Sequence, residues 1–178
     1  MAKQESLGIG WGFWLLWVLA STVGWLFGFF VGSVGGYAVM EILPSYALVA
    51  WGGVAEGAGV GIFQWLVLRR RVSRAGWWVL ASILGLAGGA VVGTTAVALA
   101  GGDPTTWGVV GGWVVGGAMA GLMQWFVLRR QVSRAGCWVL ASTVGWAVST
   151  VSMAYGVGLG AVTGLALVWL LRQPIPEA

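Results

Sequence analysis

Charged residues in this chain are gathered into a few short clusters, and the apolar stretches between them set its architecture. No Asp, Glu, Lys or Arg occurs from Ser6 to Met40, from Ala75 to Gly102, from Pro104 to Leu128, or from Ala135 to Leu171. A helix needs about 20 apolar residues to cross a bilayer, so each of the first three gaps predicts one span. The segment from Tyr46 to Leu68 predicts another, interrupted by Glu56. The last gap would make a helix of about 55 Å at 1.5 Å per residue, too long for one crossing. It therefore predicts two short helices meeting near Tyr155-Gly156. The pattern gives an all-α membrane protein of six transmembrane helices.

The charges orient those helices. All nine cations (Lys3, Arg69, Arg70, Arg71, Arg74, Arg129, Arg130, Arg134 and Arg172) fall on the side that holds the N-terminus. The opposite loops carry Glu41 and Asp103 and no cation, so the positive-inside rule predicts both termini in the cytoplasm. Lys3 beside Glu5, ahead of a long apolar stretch, reads as a retained signal anchor rather than a cleaved signal peptide.

The chain repeats internally. Trp17-Val-Leu-Ala-Ser21 returns as Trp78-Val-Leu-Ala-Ser82 and as Trp138-Val-Leu-Ala-Ser142, spacings of 61 and then 60 residues. Gln64-Trp-Leu-Val-Leu-Arg69-Arg70 returns as Gln124-Trp-Phe-Val-Leu-Arg129-Arg130, and the connector Val72-Ser-Arg-Ala-Gly76 returns unchanged as Val132-Ser-Arg-Ala-Gly136. One membrane domain over residues 1–178 thus divides into repeats at 7–72, 73–132 and 133–173. The third is eroded: Leu167 stands where the other two have Gln, and 17 residues are missing between Ser142 and Gly160 relative to Ser82 and Gly117. Each unit is a helical hairpin, so all three share one orientation, and a pseudo-threefold bundle of tandem hairpins is expected.

Small residues recur every fourth position on nearly every span. Gly24, Gly28 and Gly32 mark the first, Gly57 and Gly61 the second, and Gly85 and Gly89 the third. Gly117 and Gly121 fall in the fourth and Gly160 and Gly164 in the sixth, where they align with one another. Residues four apart share a helix face, and helices in lipid associate through close backbone approach. The stripes serve either to close one bundle or to join protomers.

Composition narrows the function. The chain is 59% hydrophobic and 8% charged, against roughly 25% charged in an ordinary soluble domain. There is no His, and Cys137 is the single cysteine. An internal disulfide, a thiolate metal cluster and a His-ligated haem or chlorophyll are therefore disfavoured, and no metal site is expected. Nucleic acid is not an expected partner. Paired acids or an activated nucleophile cannot be assembled from this set, which argues against an enzyme.

A few residues remain as candidates. Glu56 is the one ionisable side chain deep in a span, about 17 Å from Ser45 and about 20 Å from Arg69 along the helix. Such a residue faces a bundle interior or wet cavity, or stays protonated. It is either a proton, cation or ligand-anchoring site, or a neutral carboxyl bonded to Ser, Thr or Tyr across the bundle. The equivalent positions, Gly116 and Leu159, are not acidic, which rules out a symmetric three-site ion path. Gln64 shares the Glu56 face; it and Gln124 can bond a ligand or another helix. Trp25 and Trp146 share a repeat position and fall deep in their spans, where they could flank a flat apolar ligand. The other tryptophans, Trp17, Trp78 and Trp138 among them, read mainly as an interfacial belt. Arg69, Arg129 and Arg172 are equivalent and predict a ring of guanidiniums for anionic lipid headgroups. Ser73 and Ser133 read as helix N-caps.

The repeated string Gln-Trp-x-Val-Leu-Arg-Arg-x-Val-Ser-Arg-Ala-Gly-x-Trp-Val-Leu-Ala-Ser resembles a group of largely cyanobacterial polytopic membrane proteins, and the closing Leu167-Val-Trp-Leu-Leu-Arg-Gln-Pro174 is similar to their ending. The resemblance covers nearly the whole chain and implies a bacterial cytoplasmic or thylakoid-type membrane, but no activity. The expected function is a non-enzymatic scaffold or accessory protein that holds lipid, quinone or a carotenoid-like molecule, alone, as a homo-oligomer or in a larger membrane complex. The alternative is a small transporter or channel with Glu56 on its path.

Overall fold

A computed structural model describes residues 9–103 and 106–173, and these are helical with no strand. Six helices follow in order: α1 Trp11–Val39, α2 Ser45–Leu68, α3 Gly76–Leu99, α4 Trp107–Leu128, α5 Cys137–Val151 and α6 Tyr155–Leu171. Lys3, Glu5, Pro104 and Pro174 lie outside the described residues. Except at the α5–α6 turn, which falls inside a charge-free interval, the helices begin and end within several residues of the charge clusters.

The first four helices are long and apolar enough to cross a membrane. The last two have 15 and 17 residues, or about 22 and 26 Å, short of the roughly 30 Å hydrocarbon layer. The last charge-free gap thus holds the two short helices expected of it, beside four helices of spanning length. The third repeat is 17 residues shorter between Ser142 and Gly160 than the second is between Ser82 and Gly117, and its turn comes at residues 152–154. Met153 and Tyr155 flank that turn with φ of 53° and 35°, left-handed values that residues other than Gly seldom adopt.

Each helix packs on its chain neighbours, and α6 returns to α1, so the six close into a ring. Small residues set the spacing at each seam. A Cβ at Gly24 would sit 2.7 Å from the Gly59 carbonyl oxygen, and one at Gly28 2.6 Å from the Glu56 Cα. Gly32 continues the seam against Ala55. Gly57 abuts Ile83 and Gly61 abuts Ser82, joining α2 to α3. Gly85 and Gly89 lie so close to Ala120 and Gly116 of α4 that a side chain would enter the neighbouring backbone. Gly117 and Gly121 face Trp146 and Ser142 of α5, while Gly160 faces Val18 and Gly164 faces Trp14 and Trp17 of α1. Seams of this kind rely on van der Waals contact, because lipid offers no hydrophobic drive between helices.

The core has two layers. At the arginine-rich end, Trp17, Trp78 and Trp138 are buried with Leu68, Leu128 and Leu167. Val72, Ala75, Val132 and Ala135 of the two identical connectors tuck beneath them. Those connectors turn through Arg74 and Arg134, both at φ 58°. The second layer holds Val60, Leu86, Ala120, Trp146 and Leu159. Neither Ser73 nor Ser133 is an N-cap: α3 and α5 start after Ala75 and Gly136, without a side-chain cap.

Gly89→Ala is expected to lower thermal stability in detergent by about 1–3 kcal/mol, the usual cost of overpacking. Gly52→Ala, whose added Cβ would meet nothing within 4 Å, should be neutral or stabilising by up to about 1 kcal/mol through helix propensity. Equal effects from the two variants would contradict a glycine-spaced α3–α4 seam.

Candidate functional site

Trp17, Trp78 and Trp138 are the same repeat position on α1, α3 and α5, and on the axis of the ring they meet. Their ring centroids are 6.0, 6.2 and 5.2 Å apart, pair by pair. All three indoles are essentially inaccessible, which removes them from the expected interfacial belt. Trp11, Trp77 and Trp107, by contrast, are well exposed on the outer surface.

An indole N–H buried this deeply needs an acceptor, and each repeat supplies one to the next. Trp78 Nε1 donates to Gln64 Oε1 at 3.0 Å, while Gln64 Nε2 donates to Ser21 Oγ at 3.0 Å. One repeat later, Trp138 Nε1 donates to Gln124 Oε1 at 2.8 Å and Gln124 Nε2 to Ser82 Oγ at 2.9 Å. Each Gln thus ties three consecutive helices together. The third repeat has Leu167 in this column, and Thr163 one turn earlier takes over: Trp17 Nε1 donates to its Oγ1 at 2.9 Å. The Thr163 hydroxyl in turn donates to the Leu159 carbonyl at 2.6 Å. Ser142, with no Gln to receive, donates to the Gly117 carbonyl at 2.8 Å.

The network surrounds an internal cavity of about 10 Å³, lined by Gln64, Ser82, Gln124, Ser142, Thr163 and Trp146 among others. That is room for about one water molecule. A quinone or carotenoid does not fit on the axis. Gln64 and Gln124, candidates for ligand contact, have their amides committed between helices. Trp146 packs on Gly117 and stacks on Trp113 at 5.5 Å. Trp25 instead stacks on Phe29 and on Tyr155, at 5.2 and 4.4 Å. The two equivalent tryptophans therefore take separate partners, and only Trp146 borders the cavity.

Glu56 lies two turns from Gln64 toward the opposite end of the bundle, 6% exposed. The Trp25 indole lies near its carboxyl. Its Oε2 is buried without a hydrogen-bond partner. The Tyr155 ring, at the start of α6, stacks on Trp25. No group of three His, Cys, Asp or Glu that could hold a metal occurs among the described residues.

The three equivalent arginines do not converge on a ring. Arg69 lies over Trp65 at 5.7 Å and Arg129 over Trp125 and Phe126 at 5.3 and 4.8 Å. Arg172 donates from Nε and Nη2 to the Ile9 carbonyl at 2.9 and 2.7 Å. Leu68, Leu128 and Leu170 fill the middle of that end, so each guanidinium turns to its own surroundings.

No protein-family model, no curated protein and no solved structure matches the chain. The residues that sequence reasoning overlooked are Ser21, Ser82, Ser142 and Thr163. The three serines close the repeated Trp-Val-Leu-Ala-Ser string, four residues after each Trp and so on its face. That signal was present in the repeat itself.

Gln124→Leu should strand the Trp138 N–H and cost about 1–3 kcal/mol of thermal stability. Combining it with Trp138→Phe should cost clearly less than the two single changes summed. Strict additivity would mean that the Gln–Trp bond carries no coupling.

Proposed function

We propose that this chain is a non-enzymatic integral membrane scaffold or accessory protein. It is built as three tandem hairpins about a pseudo-threefold axis, with both termini in the cytoplasm of a bacterial cytoplasmic or thylakoid-type membrane. One observation carries the reading: the axis is closed by Trp17, Trp78 and Trp138, whose N–H groups are all satisfied by Gln64, Gln124 and Thr163. Polar side chains on the axis bond to one another rather than line a path, and the space left among them is about 10 Å³. A lipid, quinone or carotenoid-like molecule therefore associates with the outer surface, where the bilayer, further copies or a larger membrane complex are the partners.

The unpartnered Oε2 of Glu56 favours a second reading, a small transporter in which this carboxyl takes up a proton or cation. It requires the tryptophan closure to open.

Proteoliposomes containing the protein are expected to show proton and potassium flux no greater than protein-free vesicles, with Glu56→Gln indistinguishable from the parent. A flux at least severalfold above background that Glu56→Gln abolishes would replace the scaffold with the transporter.

A further inference from the structure

Two clefts open at the arginine-rich end of the bundle. One lies between α3 and α4, has a volume of about 690 Å³, and is walled by Leu80, Leu84, Met123 and Phe126. Arg74, Arg129 and Arg130 stand at its mouth, and no acidic residue lines it. The other has about 1060 Å³, includes Leu16 and Leu66 in its wall, and carries Arg69, Arg70 and Arg71. Leu66, Arg69 and Arg70 are one repeat before Phe126, Arg129 and Arg130, and this cleft is also bordered by Gln131, Val132, Leu171 and Gln173.

The α3–α4 cleft has a fixed mouth. Ser73 N–H donates to Gln131 Oε1 at 2.7 Å, and Gln131 Nε2 donates to the carbonyls of Ser73 and Val127 at 3.0 and 2.8 Å. That one amide fastens the connector bearing Arg74 to the end of the helix bearing Arg129. Below the mouth the wall is apolar and open to the outside, with Leu80 48%, Leu84 63% and Phe126 49% exposed. Clustered guanidinium above and uncovered hydrocarbon below is the charge and polarity sequence of an anionic phospholipid, with phosphate at the interface and acyl chain beneath.

Resting on the membrane-scaffold reading, we propose that the α3–α4 cleft binds one anionic phospholipid. Arg74, Arg129 and Arg130 hold its phosphate, and its acyl chain lies along Leu80, Leu84, Met123 and Phe126. The cleft that carries Arg69, Arg70 and Arg71 is a second site for the same headgroup chemistry. In the third repeat the equivalent Arg172 donates to the Ile9 carbonyl instead.

Native mass spectrometry of the full chain in mild detergent tests this, with phosphatidylglycerol and phosphatidylcholine of identical acyl chains supplied in equal amounts. Up to two phosphatidylglycerol molecules per chain should be retained, with a preference of about tenfold or more over phosphatidylcholine. Arg129→Ala with Arg130→Ala should weaken one of the two by about tenfold. Because these arginines also orient the chain, a second variant, Leu84→Trp with Met123→Trp, fills the cleft while keeping every cation and should lose the same adduct. Equal retention of the two lipids, or both variants binding like the parent, would overturn the site. Displacement of phosphatidylglycerol by millimolar inorganic phosphate would overturn the lipid as its occupant. Loss of the site without ion flux leaves the scaffold standing, whereas Glu56-dependent flux removes the scaffold whatever the lipids do.

Discussion

Three indole N–H groups on one axis, away from water, are the constraint from which the rest of this structure follows. A buried donor without an acceptor costs several kcal/mol in hydrocarbon, so each Trp must find a partner on another helix. The partners come from the preceding hairpin: Gln64 for Trp78, Gln124 for Trp138, and Thr163 of the last hairpin for Trp17 of the first. This cyclic hand-over fixes the order of the helices around the ring and the register in which they meet. Glycine makes it possible, since a bond of about 3 Å between short side chains demands backbones that nearly touch. The seams at Gly57, Gly61, Gly117, Gly121, Gly160 and Gly164 are the ones across which these bonds run.

The eroded third repeat shows which features the arrangement requires and which it does not. Leu167 replaces the Gln, yet the Trp17 donor is still satisfied, because a hydroxyl one turn away reaches it. Length is dispensable too: α5 and α6 stop short and turn early. The consequence is local asymmetry. Tyr155 from the early turn stacks on Trp25, and Trp25 lies near Glu56, whereas the equivalent positions of the second repeat are Leu86 and Gly116. The single buried acid thus belongs to the place where the repeat pattern breaks.

Much of this was legible in the sequence. Charge-free intervals gave the helices to within a few residues, and the recurring Trp-Val-Leu-Ala-Ser and Gln-Trp strings gave the repeat. Tryptophan position was not legible, because Trp17 and Trp77 both lie at the arginine-rich end and composition does not say which faces inward. The spacing did: Trp17 and Ser21 share a face, as do Trp78 and Ser82, and Gln64 needed a partner. The separate partners of the three equivalent arginines were not legible for a related reason. Equivalent positions in a repeat need not converge when the axis between them is filled, and here Leu68, Leu128 and Leu170 fill it.

An axis sealed with hydrocarbon at its arginine-rich end pushes charge outward. Arg69 and Arg129 lie over Trp65 and Trp125 at the rim, so the side chains that read as orienting the chain also border two surface recesses. Glu56 has no such outlet; its carboxyl is enclosed by the helices whose glycines bring them together. Interior polarity in this protein is spent on holding helices at contact distance, while at the perimeter cation and apolar wall occur side by side. A second bilayer component pressed into those recesses would meet a surface whose shape is fixed from within, by the same Gln131 clamp and connector turn that close the end of the bundle.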